Sequence, residues 1–176
     1  MLTMRSGARL LVPMSLLAVT PVAVAAPPTK AECQKAMKLT KEKSPATKPY
    51  FNKAYAYAVF PSVGRGAFGV GGAYGEGVVF RRGKMVARTT MAQVSIGLGL
   101  GGENYIEVIF FKNKRAFDRF VEGSLEFGAR ATAAAADNAA SKDMDYNNGV
   151  AIFTVTKAGL IADAAVGGQK FTYEKL

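Results

Sequence analysis

The sequence predicts an α+β domain, mainly antiparallel β, in which a strongly curved sheet or partial barrel carries an N-terminal amphipathic helix and one internal helix. Three observations predict this. Beyond Ala56, β-branched and aromatic residues alternate with glycine and alanine, and turn residues recur about every ten positions. Three stretches place the smallest residues on one strand face: Gly69-x-Gly71, Gly97-x-Gly99-x-Gly101 and Ala129-x-Ala131-x-Ala133-x-Ala135. Helical spacing is confined to the region before Ala56 and to residues 113–121.

Taken in order, the chain opens with Arg5 and Arg9 ahead of an apolar run over residues 10–26, the layout of a secretory signal. Ala23-Val24-Ala25 supplies small-x-small spacing, which places the cut after Ala25. A transmembrane anchor is the rival, but a run of about 17 residues is short for a span, and this one contains Pro13 and Pro21. The expected organisation is a signal peptide over 1–25, a basic helical segment over 26–49 and a β-rich domain over 50–176. Cys33 is the single cysteine, so no internal disulfide forms, and it lies beyond the position of an acylated lipoprotein cysteine.

Without Arg5 and Arg9 the chain has 21 basic against 13 acidic residues, a net charge of +8, which favours an anionic partner. Residues 27–53 hold seven lysines and two acids, +5 of that excess. Over residues 29–43, Cys33, Ala36, Met37 and Thr40 share one helical arc and Lys30, Lys35, Lys38 and Lys41 another. Such a helix either lies on anionic headgroups or packs on the domain. Pro45 and Pro49 end the pattern before a second short helix near residues 50–55.

Strands are expected near 56–60, 67–74, 77–82, 85–91, 93–101, 104–111, 125–135, 149–156, 160–167 and 169–174. Glycine inside a strand is tolerated where a bend, a bulge or close backbone approach compensates, so the bare faces imply strong curvature and an element pressed against them. Val78-Val79-Phe80 and Val108-Ile109-Phe110-Phe111 are unbroken apolar runs, which argues against an outer-membrane barrel, where alternation is required. The internal helix has Phe117, Phe120 and Val121 on one face and Asn113 as its N-cap.

The chemistry available is limited because the chain contains no histidine, which removes the most common general base and metal ligand. Asp118 and Glu122 share a helix face but sit among Lys114, Arg115 and Arg119, as surface ion pairs do. Gly64-x-Gly66-x-x-Gly69 spells a dinucleotide fingerprint, yet a strand-like sequence follows instead of a helix, so these glycines read as turn and bulge positions. Asp143-x-Asp145-x-Asn147 begins like a calcium loop, but Gly149 falls one position late and Thr154 stands where the closing glutamate belongs. Asn147-Asn148-Gly149 reads as a turn leading into a strand. Nucleic acid fits the charge, but the aromatics lie in apolar runs away from the lysines, and export removes that partner. No catalytic residues, metal site or cofactor are expected.

Three blocks carry a resemblance. Ala58-Val59-Phe60-Pro61-Ser62-Val63 followed by Gly69-Val70-Gly71-Gly72-Ala73-Tyr74-Gly75-Glu76-Gly77-Val78-Val79 resembles the opening of SYLF domains. Residues 93–102, followed by Val108-Ile109-Phe110-Phe111, resemble the family's middle. Thr156-Lys157-Ala158-Gly159-Leu160 with Val166-Gly167-Gly168-Gln169-Lys170-Phe171 resembles its closing hairpin. The resemblance implies a non-enzymatic lipid-binding domain; eukaryotic relatives bind phosphoinositides and some bind actin. The chain has no tryptophan, which many eukaryotic members carry in the middle block, so the implied ligand here is anionic phospholipid. Actin is not an expected partner for an exported protein.

Relatives engage lipid through a basic N-terminal helix, and the matching positions are Lys30, Lys35, Lys38 and Lys41. The expected mechanism is attraction by these lysines with shallow insertion of Met37, and a second contact by Arg65, Arg81, Arg82 and Lys84. The expected address is the periplasm or cell envelope, peripheral to a membrane. The rival functions are a carrier holding a lipid-like ligand inside the curved sheet and an envelope domain whose partner is another protein.

Overall fold

In a computed structural model of the chain, the residues described are 26–68, 70–96, 103–123, 146–156, 159–161 and 169–176. The signal-peptide region, the alanine-rich stretch 125–135 and most of the calcium-like loop lie outside them.

Helix α1 (Lys30–Lys43) starts on a capping box: the Thr29 hydroxyl accepts from the Glu32 N–H, and the Glu32 carboxylate accepts from the Thr29 N–H at 2.7 Å. A 3-10 turn (Pro45–Thr47) leads into α2 (Lys48–Lys53). Four long strands follow: β1 (Ala56–Phe68), β2 (Val70–Arg81), β3 (Lys84–Ile96) and β4 (Glu103–Phe111). Helix α3 (Lys114–Val121) is capped by the Asn113 side chain, which accepts from the Ala116 N–H at 3.0 Å. The chain closes with β5 (Val150–Thr156), β6 (Gly159–Ile161), β7 (Gln169–Phe171) and β8 (Glu174–Lys175).

Among the described residues these strands form one antiparallel sheet in the order β6-β5-β4-β1-β2-β3-β7, with β8 also on β3. The sheet curls into a half-barrel. Phe60 on β1 and Phe171 on β7 stand three strands apart in that order, yet their ring centroids are 6.0 Å apart. In a flat sheet three strand spacings separate them by roughly 14 Å.

The first three strands are longer than the sequence predicts. Breaks are expected over 61–66 and at 75–76, and β1 and β2 run through both. Pro61 is accommodated because the ladder shifts register beside it on both sides, between Val59 and Ser62 toward β2 and between Phe60 and Val63 toward β4. An irregularity of this kind requires no donor from proline. Gly64 and Gly66 are therefore ladder positions facing Tyr74 and Gly72 rather than turn residues. Gly77 is a close-approach position: a Cβ there would stand 2.6 Å from a Phe60 ring carbon. Two tight turns match expectation in kind. Arg82 (φ 51°) with Gly83 (φ 75°), and Asn148 (φ 51°) with Gly149 (φ 82°), have the paired positive φ of two-residue hairpin loops.

The apolar runs are buried on both faces. Ala58, Phe60, Val79, Ile109 and Phe111 point into the concave side, where Phe117 and Phe120 of α3 fill the half-barrel. Val59, Val78, Phe80, Val108 and Phe110 point to the convex side, covered by Cys33 and Ala36 of α1 and Tyr50 of α2. Successive strand residues alternate sides, so a strand covered twice must be apolar throughout. Both coverings are protein, which distinguishes these strands from those of a lipid-facing barrel.

Candidate functional site

Helix α1 has one face fixed and one face free. Cys33, Ala36 and Thr40 are buried against the sheet, and the Thr40 hydroxyl is satisfied by the Ala36 carbonyl at 2.9 Å. Burial, reinforced by the nearby Glu32 charge, pushes the Cys33 thiol up to about 12. Lys30, Lys35 and Lys38 are exposed on the other side, and Lys41 is half-buried with its ammonium 4.5 Å from the Phe51 ring centroid. Lys38 reaches Glu42 at 3.9 Å with both side chains exposed, an i,i+4 pair of small energetic weight.

Met37 is the residue expected to insert. It is half-buried and packs with the convex-side cluster beside Cys33 and Ala36. The apolar arc of α1 is thus committed to the fold, because a helix that buries a stripe on a sheet has no second apolar face to offer a bilayer.

The second expected group is divided. Arg81 and Lys84 pair across the β2–β3 turn and Arg82 sits in it. Arg65 pairs with Ala73 and Glu103, toward the opposite end of the sheet. Ala73 lies eight residues from Arg81 along β2, roughly 26 Å at strand rise. These four are expected to form one contact; the antiparallel register separates them. The Arg81 guanidinium stands 4.4 Å from the Tyr55 ring centroid. Lys114 binds Asp118 at 2.7 Å, which raises its pKa, as the surface-pair reading of α3 expects.

Two further features are not visible in the sequence. A cleft of about 550 Å³ opens between α1 and the outer side of the sheet, lined by Pro28, Lys35, Leu39, Pro61, Tyr74 and Ile106 among others. The concave side, where a carrier is expected to hold its ligand, is instead filled by Met91, Phe111, Phe117 and Phe120 around the described strands. Within that side, Glu107 and Gln93 are buried, and the Gln169 amide donates to Gln93 Oε1 at 3.0 Å and to Glu107 Oε2 at 3.3 Å. This group ties β7 to β3 and β4 across the curl. A carboxylate between Ile106 and Val108 is the one signal of it in the sequence. Among the described residues no cluster of three or more His, Cys, Asp or Glu side chains could hold a metal ion, and no helix is long and apolar enough to cross a membrane.

Comparison with known proteins agrees with the resemblance. A family model described as "Ysc84: Las17-binding protein actin regulator" matches residues 92–175, from mid-β3 to β8. Beta cell expansion factor A of Aeromonas veronii is 35% identical over 133 residues, covering 74% of this chain and 50% of that protein. The chain thus spans about half the length of this curated relative. The described parts of the three sequence blocks lie on one curled sheet, and over residues 92–175 the chain carries a Ysc84, or SYLF, family domain.

Proposed function

We propose that this protein is a peripheral, non-catalytic lipid-binding domain that engages anionic phospholipid surfaces through Lys30, Lys35, Lys38 and Lys41 of a docked α1. The supporting observation is the division of that helix: one face is locked on the sheet by Cys33, Ala36 and Thr40, and the opposite face carries outward lysines. Each lysine near an anionic surface contributes about 1 kcal/mol, so four presented together suffice for salt-sensitive binding without insertion. The setting is the periplasm or cell envelope, in keeping with the expected signal peptide. Actin, mentioned in the family's description, is not part of this reading, because an exported chain does not meet it.

The test is sedimentation of the purified protein with liposomes of graded anionic content, at low and high salt. Binding that rises with anionic lipid and falls with salt supports the reading. Unchanged binding after charge reversal of the four lysines would remove α1 from the mechanism.

A second reading draws on the cleft beneath the N-terminal half of α1. Its volume and apolar walls suit part of a lipid-like ligand carried by a soluble protein. Mass spectrometry of the purified protein separates the two, since a carrier holds a stoichiometric lipid when no bilayer is present.

A further inference from the structure

Cations outside α1 converge on one end of the sheet. Strands β1 and β3 begin there and β2 and β4 finish there, as the pairs Tyr57 with Phe80, Ala56 with Phe111 and Arg81 with Lys84 require. The β2–β3 turn brings Arg81, Arg82 and Lys84, and the β4–α3 connection brings Lys112, Lys114 and Arg115. Lys53, in the last turn of α2, reaches the same end because the next strand is tied in by the Tyr55 N–H donating to the Phe111 carbonyl at 2.9 Å. Tyr55 lies between the groups: Arg81 stacks on its ring, and Lys114 interacts electrostatically with both Tyr55 and Arg81. Among the described residues the carboxylate in contact with these cations is Asp118, through Lys114. Like charges gathered this way repel one another and weaken the fold, so a compensating anion outside the chain is the natural complement.

The extent of the surface selects the partner. Helix α2 joins this end to α1, since Lys48 borders one groove with Lys38 and Lys41. The Phe51 ring beneath Lys41 meets Tyr57, which stacks on Phe80 next to Arg81. Basic side chains on both sides of a corner of the molecule, with Glu42 among them in the groove, fit an extended anionic plane better than a single small anion. We propose that this end of the half-barrel is a second binding surface for lipid phosphates, so that the domain meets an anionic bilayer end-on with the C-terminal half of α1 beside it.

This inference rests on the lipid-binding reading above, and the experiment separates the two. The purified protein is sedimented with phosphatidylglycerol-containing vesicles alongside two triple variants from different elements, R81Q/R82N/K84Q and K112Q/K114Q/R115Q. Asn is chosen at position 82 because it tolerates positive φ. R88Q/K170Q, on exposed positions of β3 and β7, gives the effect of two lost positive charges elsewhere, to be scaled to three. Each triple variant is expected to lose on the order of 100-fold in vesicle partition at low salt, well beyond the loss in R88Q/K170Q, with an unchanged melting temperature. If the parent protein sediments and both triples sediment equally well, the end surface is not engaged and the α1 reading survives alone. If the parent protein does not sediment, both readings fail. A loss seen with double-stranded DNA but not with vesicles would overturn the proposal in favour of a nucleic-acid surface.

Discussion

The two basic regions of this protein are built in opposite ways. In α1 the cations come from one stretch of chain, and helical period alone places Lys30, Lys35, Lys38 and Lys41 on a common arc. At the sheet end the cations come from residues 53, 81–84 and 112–115, and antiparallel register assembles them. The first region depends on side-chain packing beneath a helix. The second depends on turn geometry and strand alignment. Perturbations of packing and of turns therefore act on them differently.

The largest expected effect comes from removing the packing. Phe110 is fully buried under the helical layer, with ring centroids 5.4 Å from Tyr50, 4.8 Å from Phe51 and 5.7 Å from Phe153. Phe110→Ala is expected to cost about 3–5 kcal/mol in urea unfolding. Its cavity lies on the α1 and α2 side, so vesicle binding through the helix should weaken before the sheet end is disturbed. Equal weakening of both would show that they are not independent.

Charge reversal of the four α1 lysines sharpens the comparison further. With about 1 kcal/mol per lysine, loss of all four removes up to roughly 4 kcal/mol of vesicle binding. Stability should change little, because these side chains are largely outside the core. The thiol of Cys33 adds a readout in the same assay, since it is fully buried under the docked helix. On anionic vesicles it should stay as unreactive toward an aromatic disulfide reagent as in buffer. Rapid modification on vesicles would mean that α1 undocks to bind.

A smaller effect is expected at the β2–β3 turn. Gly83 has φ 75°, and a Cβ at this position would meet nothing within 4 Å, so substitution there strains backbone and not packing. Gly83→Val should cost about 1–2 kcal/mol and reduce binding at the sheet end while α1 keeps its own. A further effect is confined to alkaline pH. The Cys33 thiol is raised from 9.0 to about 12 in the folded protein, so its neutral form is favoured by folding. The corresponding stability is complete below pH 9 and is lost as pH rises from about 9 to 12. Melting curves across that range should flatten in Cys33→Ala relative to the parent protein.

Much of this fold was legible in the sequence because it follows from local rules. Helical spacing located α1 and α3, Asn113 announced its cap, and Asn147-Asn148-Gly149 announced a turn into a strand. The capping box was equally available in Thr29-x-x-Glu32. Glycine and proline misled where their role was tertiary. Pro61 and Gly75 look like strand breaks, but Pro61 occupies a ladder irregularity, and a Cβ at Gly75 would stand 2.8 Å from the Val63 side chain. Close packing against a neighbouring strand leaves no trace in the residues on either side.

By itself the sequence determined a β-rich domain with a basic helix at its front, since period, turn chemistry and charge are properties of neighbours along the chain. It also carried the resemblance to SYLF domains, through blocks of contiguous residues. Only the tertiary structure decided that the apolar arc of α1, Met37 included, is used by the fold, because a buried stripe looks the same whether a sheet or a bilayer will cover it. Only the tertiary structure separated Arg65 from Arg81 and brought Arg81 to Lys114. Residues far apart in the chain become neighbours through strand register, and register is set by the whole sheet.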